Sequence, residues 1–298
     1  MAENWNRRYR FVAGKPGVVG FEIGESVDGR ALRIVFDFEK TDVESSNTGT
    51  IKIYNLNNEH VAILKEKDCM VYLKAGYGAN MPLIFSGNVT TENTSDDSPD
   101  RETEIQVVDG RVAIRDTFVS VTYSGETLAR SIYNDVVIQM GITCVYSPKA
   151  QEQLKAYKLP NGFAYVGTAA NCLTQLGTMC GLNWTIQNGV CQVLFPGDPI
   201  TTQCYILDES SGLVNIPKSI TINAQTTTNK GATKDPLHGY EITYLLNGAI
   251  GVNDMIQLVS RRVSGFFRVR NIKISGDNYG SSWTCTAQIV EIKEAPTK

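Results

Sequence analysis

The sequence predicts an α+β, mainly β protein, and three observations predict it. Apolar and polar residues alternate through the first and last thirds, apolar spacing of three and four is confined to the middle, and Asn, Gly and Asp punctuate both. At 298 residues the chain is long for one core. The change of period places boundaries at 1–117, 118–203 and 204–298.

In the first third, residues 31–39 put Leu32, Ile34, Phe36 and Phe38 on one face of a strand, with Arg33, Asp37 and Glu39 on the other. Residues 49–57 repeat the alternation with Ile51 and Ile53, and Asn57 or Asn58 opens a short helix. Strands follow at 69–77 and 83–89. The polar run at 91–102 predicts a long hairpin loop, and 103–109 resumes period two.

In the middle third, Ser124 is placed to cap a helix stacking Leu128, Ile132, Val136 and Met140 and stopped by Gly141. Thr168 caps a second helix, with Ala169, Leu173, Leu176 and Cys180 in one stripe before Gly181. Asn188 and Gly189 then favour the left-handed backbone of a two-residue hairpin turn. The last third predicts strands at 217–224, 239–247, 254–261, 266–275 and 282–292, with a long polar loop at 224–239. Its order of strand, long strand, polar loop and closing strand weakly repeats that of the first third.

Composition excludes several functions. A net charge of −3 and an acidic pI near 5.6 supply no basic footprint for tight duplex binding. The arginines at 7, 8 and 10 precede no apolar run, so neither a signal peptide nor a membrane anchor is expected, and synthesis is expected in a cytoplasm. Seven scattered cysteines without paired zinc spacing suggest reduced, mostly buried thiols.

Catalytic readings find little support. His60 sits in the expected short helix and His238 in a loop beside Pro236 and Gly239, and no nucleophile elbow accompanies either. Asp96, Asp97, Asp100 and Glu102 crowd one polar loop, whereas a glycosidase pair must face across a cleft with one acid buried. The loop has no calcium-loop spacing, and Gly76–Asn80 lacks a phosphate-loop continuation. No catalytic residue, cofactor or metal is therefore expected.

Four stretches taken in order, TIKIYNLNNE, VYLKAGYGANMPLIFSGNV, LTQLGTMCGLNWTIQNGVCQVLF and SSGLVNIPKSITIN, resemble the baseplate hub proteins of tailed phages and related injection machines. The closing GFFRVRNIKISGDNYGSSWTCTAQIVEI is similar to that family's last hairpin. The resemblance implies two tube-like antiparallel β-barrel domains flanking a small α+β insert domain, in a homotrimer whose six barrels form one ring. It implies a structural part in the virion tail, joining the tail tube or distal tail protein to the spike. Tape measure protein and DNA would pass through without specific binding. Asp37, Glu39, Thr284 and Gln288, on outward strand positions, are the channel-lining candidates. The alternative is a carbohydrate-binding or cell-wall-hydrolysing tail-tip protein, the insert being somewhat similar to a peptidoglycan-binding module. A chaperone for tail assembly is a third reading.

Overall fold

The computed structural model describes residues 6–15, 17–24, 31–96, 99–222 and 237–292. Most of the loop expected at 224–239, with Pro236, lies outside the described residues. The chain opens with hairpins β1 (Arg7–Gly14) to β2 (Gly20–Gly24) and β3 (Ile34–Thr41) to β4 (Thr48–Tyr54). The Asn57 side chain accepts from the His60 N–H and starts α1 (Asn58–Leu64). A meander follows through β5 (Met70–Tyr77), β6 (Leu83–Ser95) and β7 (Glu102–Val108). Strand β6 thus runs into the segment expected as loop. Its polar residues persist in strand because β7 gives each a ladder partner, as in Asn93 opposite Glu104.

The middle segment holds α2 (Arg111–Asp116), β8 (Phe118–Tyr123), β9 (Thr127–Leu128), α3 (Ala129–Gln139) and β10 (Thr143–Tyr146). It continues through α4 (Pro148–Ala156), β11 (Lys158–Leu159), β12 (Phe163–Thr168), α5 (Ala169–Cys180), β13 (Asn183–Gln187) and β14 (Val190–Leu194). Helix α3 starts later than Ser124 predicts, because Thr127 and Leu128 pair with Leu159 and Lys158. Leu128 is consequently 39% exposed, and the buried stripe is Ala129, Ile132, Tyr133, Val136 and Val137. Helix α4 was not expected, although Ser147 caps it by accepting from the Ala150 N–H and Pro148 occupies its first turn. Helix α5 agrees with expectation, with Thr168 accepting from the Asn171 N–H and Gly181 ending it at φ 67°.

The last third contains β15 (Cys204–Leu207), β16 (Lys218–Ile222), β17 (Leu237–Leu245), β18 (Met255–Val259), β19 (Ser264–Asp277) and β20 (Trp283–Glu291). His238 is in β17 opposite Thr221, not in a loop.

Two separate closed barrels are not what the strands form. They join in a single 13-stranded sheet ordered β16-β17-β20-β19-β3-β4-β7-β6-β5-β1-β2, with β18 and β15 branching from β19. The two halves merge where β3 pairs antiparallel with β19, from Val35 opposite Asp277 to Thr41 opposite Asn271. Among the described residues no pairing closes either half on itself. The weak repeat is nevertheless real in topology. The neighbours β3-β4-β7-β6-β5 recur as β16-β17-β20-β19-β18, and the bulge at Val89/Thr91 in β6 has its counterpart at Val269/Asn271 in β19.

One core serves the sheet, drawing Phe11, Phe36, Phe38, Phe85, Trp283 and Ile289 from both halves. A second, built of Ile132, Tyr133, Leu173, Leu176 and Trp184, lies wholly within residues 113–193. Glycine is required where the sheet aromatics cross neighbouring strands. A Cβ on Gly49 would lie 2.1 Å from Phe38 Cδ1 and one on Gly276 2.2 Å from Phe36 Cζ.

Candidate functional site

Period-two alternation that buries Phe36 and Phe38 must turn Asp37 and Glu39 outward, and every neighbouring strand repeats the choice. The registers therefore align polar residues in rows. One row reads Thr91, Gln106, Thr50, Asp37, Ser275 and Thr284 across β6, β7, β4, β3, β19 and β20. A second carries Thr48, Glu39, Lys273, Thr286 and Thr243, and a third Thr41, Asn271, Gln288, Glu241 and Lys218. All four channel-lining candidates fall on this face, with Asp37 and Glu39 exposed and Thr284 and Gln288 half-buried.

The face is polar and of mixed sign. Lys52 lies 2.8 Å from Glu102 and 3.1 Å from Glu104, and its hydrogen bond holds the Glu102 carboxyl below the usual range. Ser275 donates to Asp37 at 2.5 Å and Asn271 to Glu39 at 3.2 Å. A shallow cavity of about 390 Å³ opens among Asp37, Glu39, Thr50, Gln106, Lys273 and Ser275. The carboxylates of Asp37, Glu39, Glu102, Glu104 and Glu241 are interspersed with the cations of Arg33, Lys52, Lys218 and Lys273. Such a surface offers hydrogen bonds to water and little attraction to phosphate.

Where β3 leaves this face, the middle segment plugs into the sheet. Asn188 and Gly189 form the hairpin turn between β13 and β14 at φ 53° and 78°. The buried Asp109 carboxylate accepts both their backbone N–H groups, from Gly189 at 2.8 Å. Lys40 donates to Asn188 Oδ1 at 2.8 Å, and Asn47 donates to Ile186 O and Gln187 Oε1. Burial pushes the Lys40 ammonium down to about 8 against the pull of Asp109, and pushes the Asp109 carboxyl up against the pull of Lys40. Beside this joint, Asp42 accepts from Arg268 and Arg270 at 3.0 Å, and Asn253 bridges Arg268 to Gln192 of β14. The sequence carried a signal for the joint that was missed. Lys40 and Asp109 continue the inward series of Phe36, Phe38 and of Ile105, Val107, where an apolar residue belongs.

The other candidates stay apart. His60 stacks on Phe21 at 4.1 Å. Asp96 is largely exposed beside Arg101, Asp100 accepts from Asn55, and Glu102 belongs to the strand face. Asp97 lies outside the described residues.

The sequence matches no protein-family model and no curated protein. Solved structures do match. The 43 kDa tail protein of prophage MuSo2 from Shewanella oneidensis superposes with TM-score 0.61 at 10% identity, over 96% of this chain and 97% of its own. A tail protein from Neisseria meningitidis gives 0.58 at 11%, over 95% and 96%. The Francisella PdpA-VgrG complex gives 0.57 at 7%, over all of this chain and 55% of that one. The chain thus has the fold of these tail proteins.

Proposed function

We propose that the chain is a structural baseplate hub subunit that joins a six-fold tail tube to a three-fold spike and lines part of the DNA-ejection channel. The observation that carries the reading is the repeated five-strand order joined head to tail through β3 and β19. In the first unit the counterpart of the β19 segment used there is Thr91–Thr94 of β6, and in the second unit the counterpart of β3 is β16, the terminal strand of the sheet. A second copy that sets its β6 against β16 reproduces the same joint between chains. Three copies then close a ring of six quasi-equivalent units, with no exposed edge at the joints and three-fold symmetry for a spike.

The polar rows run without interruption across the joint, so the same pairing would carry them around a bore. Tape measure protein and then DNA would slide past them, while the tube or distal tail protein stacks on the ring. The reading keeps domain limits at 1–117, 118–203 and 204–298, the middle unit serving as the insert, with Ala113 of α2 joining its core. The role requires no catalytic group, and the subunit would reside in the virion tail after assembly in the host cytoplasm. Native mass measurement of the purified chain tests the reading. A trimer is expected, with rings in negative-stain images, and a monomer at every concentration would overturn it.

A further inference from the structure

The middle segment holds a cysteine pair that the structural role does not use. Strands β10 and β14 run parallel, with Cys144 directly opposite Cys191. Neighbouring strands lie about 4.8 Å apart, and opposed residues point to one face. That spacing falls inside the roughly 4.4–6.8 Å between Cα atoms that a disulfide spans. Cys191 is fully buried while Cys144, on edge strand β10, is only partly covered, which makes Cys144 the more accessible of the two.

We propose that Cys144 and Cys191 are an oxidisable pair that closes to a disulfide on meeting a diffusible disulfide such as oxidised glutathione. The Cys144 thiolate attacks one glutathione sulfur, releasing one glutathione thiolate and forming a mixed disulfide. Cys191 then attacks Cys144 Sγ, its proton passing to the second departing glutathione. Two protein thiols lose two electrons and two protons, and one glutathione disulfide becomes two thiols.

The surroundings support the order of attack. Of the seven cysteines only Cys144 is held below the ordinary thiol range, chiefly by the hydrogen bond from Cys191 and against the opposing pull of its own burial, with the Arg130 guanidinium adding to the lowering. Burial pushes Cys172, Cys180 and Cys285 up to about 11. A pair reduced during synthesis would close after the protein leaves a reducing compartment, tying outer strand β10 to the hairpin that docks on the sheet.

The test treats the full chain with oxidised glutathione. Titratable thiols should fall from the seven of the sequence to five, with a Cys144–Cys191 linked peptide in the digest and a higher urea midpoint. Cys191→Ala should stop at glutathione on Cys144, and Cys144→Ser should form no link, with melting curves confirming that both variants fold. Retention of all thiols, links between other cysteines, or a wild type that stops at the glutathione adduct would each overturn the proposal.

Discussion

The sheet and the middle segment are built on opposite plans. The sheet unites residues far apart in the chain, such as Phe36 beside Gly276, so neither half completes its core alone. The middle segment packs α3, α5 and the β13–β14 hairpin around a core contiguous in sequence, and touches the sheet through the buried polar joint at Asn188 and Gly189. Non-local pairing costs loop-closure entropy but lets one face continue across both halves, whereas a local core needs only a well-satisfied attachment point.

The strongest way to break the comparison is Leu173→Asp, which buries a charge in the middle core where Leu173 is 0% exposed. The expected cost is several kcal/mol against a total of about 5–15, with soluble protein lost. If the two regions fold independently, limited proteolysis of surviving material should digest the middle segment and spare the sheet. Gly276→Val attacks the sheet instead, at the seam between its halves. Its Cβ meets Phe36, and overpacking of about 1–3 kcal/mol should appear as a lower melting temperature, reversed in part by shortening Phe36 to Leu.

A smaller effect distinguishes the regions by pH. Burial raises Asp254, ahead of β18, from 3.8 to about 6, opposed by the Gly251 N–H. The folded form thus holds its proton more tightly than the unfolded form. Its contribution is fully present below about pH 4 and is lost as pH rises through about 6. Asp254→Asn should flatten that slope and gain roughly 1–2 kcal/mol at neutral pH, as read from urea midpoints across the range. The smallest change in stability belongs to the polar face. Asp37→Lys with Glu39→Lys loses the Ser275 and Asn271 hydrogen bonds and sets like charge opposite Lys273, and should lower stability by about 1 kcal/mol, yet give DNA affinity that falls steeply with salt, where the wild type binds weakly.

The sequence by itself determined most elements and which side of each strand is wet, because period and caps are local. Ile34, Phe36 and Phe38 against Asp37 and Glu39, Asn57 and Thr168 as caps, and Asn188–Gly189 as a turn all follow from residues within one or two turns of each other. Helix α4 was legible too, in Ser147 and Pro148, and was overlooked. Only the tertiary structure decided the rest. Strand order depends on partners more than two hundred residues apart, so the seam of β3 with β19, the strand character of Thr91–Ser95 and the loss of Ser124 as a cap came from pairing rather than propensity. Lys40 and Asp109 marked a polar interruption of the core, but what satisfies them is a hairpin tip that alternation alone could not bring there.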